Sequence, residues 1–343
     1  MLGQKFGRFN HNLITFGKIV QKKELYNMKK ILFRIVLFLG TPITFVSTLW
    51  LWFVTRSKVG KIEDSIFMNF GILPVKDQYY QPLINPKKHL ITSLRNDRPL
   101  PGVNFNDEQQ LALLSSFTYA NELLQFPMEK KGETEYFYNN GSYGSGDSEY
   151  LYNIVRHFKP RKIIEIGSGH STRMVKNAFA QNIKEDSSYK CKHICIEPYE
   201  QPWLKDFGVE LIRQRVETLD KTVFDQLEAN DILFIDSSHV IRPQGDVLYE
   251  FLEVVPLVKK GVIIHVHDIF TPKDYLNEWV IDEHRMWNEQ YLLEAFLSCN
   301  KEFKIIGAVN YLAHHHTEAL AKACPVFGKQ KGREPGAFWF QRI

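Results

Sequence analysis

The sequence predicts an α/β protein built on a mostly parallel sheet with helices on both faces, and three observations predict it. From residue 161 onward, short apolar runs alternate with amphipathic ones. The apolar runs are rich in isoleucine, valine and phenylalanine, as strands buried on both faces require. Several of them end abruptly in glycine, acid or histidine, groups that are costly to bury without a purpose.

Four segments are expected in order. Residues 1–30 are basic and irregular, with Lys5, Arg8, Lys18, Lys22, Lys23, Lys29 and Lys30. Residues 31–56 form a membrane segment, uncharged from Ile35 to Val54 and near the roughly 20 residues a spanning helix needs. Trp50 and Trp52, followed by Arg56, Lys58 and Lys61, suit interfacial anchoring. Gly40-Thr41-Pro42 interrupts this run midway, so a transmembrane and a re-entrant path both stay open. Met28-Lys29-Lys30 reads as a second possible start, and counted from there the basic flanks balance. Residues 57–135 read as a cap region, with a proline-rich loop and then a helical stretch, "DEQQLALLSSFTYANELLQF".

Residues 136–343 are the expected catalytic domain. A tyrosine- and glycine-rich loop around Tyr138, Asn139 and Tyr143 leads to a helix that Asp147 caps. Strands follow at "KIIEIG", "HICIEP", "VELIRQRVE", "DILFIDSSH", "GVIIHVHDIF", "FKIIGAVNYL" and "GAFWFQRI", with helices between most of them.

Composition narrows the function. Hydrophobic content of 44% and aromatic content of 13% allow a large core, and a formal charge of +4 argues against a nucleic-acid binder. Four cysteines in a chain this long make no disulfide framework and favour a reducing, cytoplasmic setting for the catalytic domain. Cys191, His193 and Cys195 lack the spacing of a zinc knuckle and read as structural.

In an open parallel sheet, ligands bind beyond the carboxyl ends of the strands. The first such end reads "EIGSGHST", where small residues let backbone approach a ligand ahead of a helix N-terminus. The second ends in Glu197, suited to a ribose diol, and the third near Val216 and Glu217. A dinucleotide fingerprint would place glycine where Thr172 stands. "EIGSG" with an acid ending the next strand instead resembles the class I S-adenosylmethionine-dependent methyltransferases. The resemblance covers residues 136–343 and implies a Rossmann-like, seven-stranded sheet whose last strand is antiparallel, beside the N-terminal membrane helix and helical cap. It further implies that Glu165, Gly167, Ser168 and Gly169 line the methionine part of the cofactor, Glu197 the ribose, and Val216 and Glu217 the adenine.

The fourth and fifth strand ends carry Asp236 with His239, and His267 with Asp268. They resemble a branch of small-molecule and sugar O-methyltransferases, some of which hold Mg²⁺ at these acids. Asp236, His267 and Asp268 are accordingly candidate ligands for Mg²⁺ or, given the histidine, Mn²⁺. The metal-free alternative makes His267 or His239 the general base on a substrate hydroxyl, oriented by Asp236 or Asp268. His265, deeper in its strand, and His314, His315 and His316 are expected to do no chemistry. The expected activity is methylation of a small-molecule or lipid-linked saccharide hydroxyl at the membrane. A nicotinamide-dependent oxidoreductase and an inactive membrane scaffold are its rivals.

Overall fold

The computed structural model describes residues 27–56, 59–199 and 201–343. The basic segment expected over residues 1–30 lies mostly outside them. The chain divides into two compact units, Met1–Asn85 and Pro86–Ile343.

In the first unit, no single helix among the described residues is long and apolar enough to cross a membrane. The apolar stretch forms two helices, Asn27–Leu39 and Thr41–Val54, bent by 58°. The break falls at Gly40, and Pro42 takes the first turn of the second helix, where its missing N–H is not needed. The break falls where the Gly40-Thr41-Pro42 interruption placed it, and the bent pair leaves both the transmembrane and the re-entrant path expected over 31–56 open. The 14-residue second arm is about 20 Å long, short of the ~30 Å hydrocarbon core. Apolar side chains along both arms, including Phe38, Ile43, Phe45 and Trp50, are exposed.

The second unit holds seven strands in the order β3-β2-β1-β4-β5-β7-β6. They are β1 Lys162–Ile166, β2 Lys192–Ile196, β3 Glu210–Ile212, β4 Ile232–Ile235, β5 Ile263–Val266, β6 Phe303–Ala308 and β7 Phe338–Arg342. β1 to β5 run parallel, while β7 inserts antiparallel between β5 and β6. The chain starts at β1, builds outward to β3, then crosses back to β4, so the order reverses between β1 and β4. A crevice opens at such a switch point.

Side chains alternate across the sheet. Ile163, Phe234 and Ile263 join one core with Tyr150 and Met174, while Ile164, Leu233 and Ile264 join a second core with Phe251 and Leu293. His265 belongs to the first face, fully buried with its ring 4.1 Å from Phe234 and 4.4 Å from Trp339. Burial pushes its pKa well below the ordinary histidine value, and neither ring nitrogen has a partner.

Three sequence expectations change here. Residues 86–135 pack in the same unit as the sheet, as a cap on the main domain would, and the division between units falls inside the expected cap region, at Asn85/Pro86. Arg98 explains part of this by pairing with Glu294 at 2.7 Å and Asp274 at 3.0 Å. Gln110 and Asn106 bond the edge strand β6 by accepting from Ala308 N at 2.7 Å and donating to Ile305 O at 2.9 Å. "VELIRQRVE" yields only a three-residue strand before a 3₁₀ turn at Val216–Thr218. "YLAHHH" closes the helix Val309–His315, and its histidines pair separately: His314 with Glu334, His315 with Asp97, and His316 with Asp107.

His265→Leu should change stability by less than about 1.5 kcal/mol, because an unpaired imidazole gives way to an apolar group of similar volume. Thermal unfolding checks this; a loss above about 3 kcal/mol would mean the ring nitrogens have a partner after all.

Candidate active site

The switch-point crevice is built from the ends of β1, β2 and β4. Gly167 leaves β1 with φ +77°, and a Cβ there would lie 2.0 Å from the carbonyl oxygen of Asp236. Only glycine lets the two strand ends approach this closely. Gly167 N donates to Ile196 O at 3.0 Å, Ser168 N to the Glu197 carboxylate at 3.2 Å, and Gly169 N to Thr172 Oγ1 at 3.0 Å. The space before Gly169 is open, and the helix His170–Glu185 begins there.

A cleft of about 250 Å³ lies along these ends, and Gly167, Glu197, Val216, Glu217 and Asp236 line it. Four of the seven residues expected to hold the cofactor therefore share one cleft. Ser168 and Gly169 line a second cavity of about 320 Å³ together with Tyr143, Asp236, His267 and Asp268. Glu165 lines neither; it is buried beneath the loop. Its carboxylate accepts from Ser171 at 2.6 Å and Thr172 at 2.9 Å, and meets His193 at 2.8 Å and Cys195 at 3.5 Å. Glu165 thus braces the glycine loop from below. His193 and Cys195 join it in a compact buried cluster, and burial pushes the Cys195 thiol well up.

S-adenosylmethionine fits this arrangement. The Ser168 hydroxyl is buried without a partner, the Gly169 face is open, and the Glu197 carboxylate lies at the loop between the two cavities. A sulfonium cofactor with an amino-acid tail and a ribose offers groups for each.

The second cavity holds the strand-end chemistry. Ile235 and Val266 are in register, and His267 N donates to Ile235 O at 3.0 Å, so Asp236 and the His267–Asp268 pair leave the sheet side by side. His267 Nδ1 lies 3.4 Å from Asp236 Oδ1 and 3.5 Å from Asp268 Oδ1. His239 Nε2 lies 3.4 Å from Asp236 and 3.6 Å from Asp268. Both His239 and Asp268 take left-handed backbone, with φ of 61° and 57°, which turns these residues back into the site. All four predicted catalytic residues converge, and Asp236, His267 and Asp268 form a metal-competent group.

Two partners come from outside the strand-end motifs, Glu289 unmarked in the sequence and Tyr143 from the tyrosine-rich loop. Glu289, fully buried, meets His239 Nδ1 at 2.8 Å from a helix fifty residues downstream. Tyr143 lies over His267 with ring centroids 4.8 Å apart, its hydroxyl buried and unpartnered. A buried glutamate starting the helix Glu289–Leu297 is the signal that points to the first. Of the other loop residues, Tyr138 donates inward to Leu123 O at 2.9 Å and Asn139 pairs with Glu129 at 2.7 Å. Asp147 clips the backbone of Gly336 and Ala337 at 2.7 and 2.8 Å.

The charges follow from this crowding. Burial acts to lower the pKa of both His239 and His267. Hydrogen bonds that its ring donates to Asp236 and Glu289 reverse this for His239, and the fields of Asp268 and Asp236 reverse it for His267, leaving both well above the ordinary value. Burial raises Asp236, but the two histidines hold it well below the usual carboxylate range. Asp268 is raised, chiefly by burial. Glu197→Ala should weaken binding of S-adenosylhomocysteine by about tenfold or more, the loss of one charge-assisted contact. Calorimetric titration checks this, and an unchanged affinity would remove Glu197 from the cofactor site.

Comparison with known proteins agrees with this geometry. A family described as "Methyltransferase domain" matches residues 164–269, the stretch from β1 to just past Asp268. A protein of Archaeoglobus fulgidus described as an uncharacterized protein is 27% identical over 181 residues, covering 49% of this chain and 80% of its own. A crystal structure of the plantazolicin methyltransferase BpumL, in complex with a pentazolic desmethylPZN analog and SAH, superposes with a TM-score of 0.34 and 10% identity. It covers 57% of this chain and 82% of that one, a likeness too loose to add to the argument. The glycine loop, the strand-end acids and the family match fall on the same residues, so the stretch 164–269 is similar to a methyltransferase domain.

Proposed function

We propose that the protein transfers a methyl group from S-adenosylmethionine to a saccharide hydroxyl at a membrane surface. The observation that carries the transfer geometry is the position of Asp236, which lines both cavities. A donor held along the first therefore faces an acceptor held in the second. The membrane setting rests on the exposed apolar surface of the bent pair Asn27–Leu39 and Thr41–Val54, and on Arg56 lying 4.3 Å over Trp52 at its end. Thr172 at the third fingerprint position disfavours a nicotinamide enzyme. The convergent polar cluster disfavours an inert scaffold.

When bound, the cofactor supplies an electrophilic methyl group. The chain's residues have to align an acceptor oxygen with it and accept that oxygen's proton. This reverses the roles expected from sequence. A histidine held well above its ordinary pKa keeps its proton at neutral pH and is no base. His239 and His267 instead present positive charge to a developing alkoxide. Asp268 is the better proton acceptor, because its raised pKa gives it more basicity than an ordinary carboxylate and it borders the cavity. Glu289 fixes the ring of His239 from behind.

A second reading is favoured by one observation: the ligand atoms of Asp236, His267 and Asp268 lie close enough together to hold one ion. The mixed nitrogen and oxygen donors suit Mn²⁺ better than Mg²⁺. Such an ion would supply the same positive charge that the histidinium groups otherwise provide.

Asp268→Asn is expected to cut turnover by about 10²- to 10⁴-fold while sparing S-adenosylhomocysteine affinity, and activity within about tenfold of wild type would dismiss Asp268 as the proton acceptor. In the wild type, kcat should fall as pH drops through the raised Asp268 pKa, because protonation removes the base. Titrating the full chain with Mn²⁺ near pH 7 distinguishes the two readings. Binding requires His267 to lose its proton, so proton release would support the metal. Absence of release, with full activity in EDTA, would leave the histidinium pair.

A further inference from the structure

The acceptor cavity has a wall that the strand-end chemistry does not use. Trp279 and Arg285 line it, on the segment between β5 and the helix Glu289–Leu297. A wide turn at Glu278–Asp282 begins this wall, and His284, in left-handed backbone at φ 57°, turns the chain so that Arg285 N donates to Trp279 O at 2.8 Å. The Arg285 guanidinium lies 5.2 Å from the Trp279 ring centroid and 5.1 Å from that of Trp287. Trp287 in turn packs on His239 at 4.4 Å. The wall is thus fixed to the catalytic histidine by direct ring contact.

We infer that Trp279 and Arg285 select an acidic saccharide, with the sugar ring stacked on Trp279 and its carboxylate or phosphate held by Arg285. This rests on the methyltransferase reading above and names the class of its acceptor. Three features carry it. Ser142, Ser171, Gln201 and the strand-end groups give the rest of the cavity a polar lining, which a polyhydroxylated ring satisfies and a flat apolar acceptor leaves unpaired. An indole face in such a lining matches the C–H face of a pyranose. A guanidinium packed against two mutually tilted indoles is held in the wall, where its donors are available to an oxyanion. Glu283 also pairs with Arg285, but their side chains are 38% and 40% exposed, so this contact yields to a ligand at little cost. The cavity, about 320 Å³, is shared with the methionine end of the cofactor at Ser168 and Gly169, and one monosaccharide unit is the acceptor size that the remainder suits.

The test is calorimetric titration of the full chain in detergent, saturated with S-adenosylhomocysteine, using methyl glucuronide, glucose 1-phosphate, methyl glucoside and inorganic phosphate. The inference expects one or both anionic sugars to bind at least about tenfold tighter than methyl glucoside and than phosphate alone. Preference for the glucuronide or for the phosphate then identifies the anion. Arg285→Gln should erase the preference with melting temperature unchanged, and Trp279→Ala should weaken all three sugars, with S-adenosylhomocysteine affinity unchanged in both variants. Equal binding of neutral and anionic sugars, binding of none, a preference that survives Arg285→Gln, or phosphate alone binding as well as glucose 1-phosphate would each overturn it. A wild-type chain that fails to bind S-adenosylhomocysteine would instead sink the methyltransferase reading beneath it.

Discussion

The parallel pairing of β4 with β5 decides most of what this molecule can do. Parallel strands present their carboxyl ends at the same edge of the sheet, so residues that follow them emerge together. With Ile235 opposite Val266, the next residues are Asp236 on one strand and His267 and Asp268 on the other. A one-residue slip would send His267 to the opposite face and out from under Tyr143. The register is locked by buried isoleucine and valine on both faces and by the inserted antiparallel β7, which pairs with β5 along Ile263–Val266.

The same edge brings the two cavities within one reach. Gly167 passes so close to Asp236 that no side chain fits between them, which draws the β1 and β4 ends together. Asp236 then borders both cavities, with its charge set by two histidines and its backbone held by Ile166 through a 2.9 Å hydrogen bond. Below it, Glu165 gathers Ser171, Thr172 and His193 into a buried network that stiffens the glycine loop. Rigidity beneath the site and open space above it are what a bound, oriented cofactor needs.

Crowding of acids and histidines sets the chemistry. Two imidazoles placed among Asp236, Asp268, Glu289 and Asp147 are held as cations, or else exchange their protons for a metal ion. In either form the positive charge stands directly beside the carboxylates of Asp236 and Asp268. Arg285 packs on Trp279 and Trp287, and Trp287 ties this wall to His239.

Much of this was legible in the chain. Alternating apolar and amphipathic runs gave the sheet, because burial on both faces leaves a periodic trace, and abrupt polar strand ends marked Asp236, His239, His267 and Asp268. Local sequence also contained the Gly40–Pro42 interruption that breaks the apolar stretch. What it did not contain were contacts made across long separations: Glu289 behind His239, Arg98 tying residues 86–135 to the main unit, and Glu165 turned beneath the loop instead of toward the ligand. The protonation of the histidines was out of reach for the same reason. It depends on how many carboxylates surround each ring, a count that only folding sets. Strand ends are local facts, whereas charge states and the acceptor wall are sums over neighbours that the tertiary structure alone assembles.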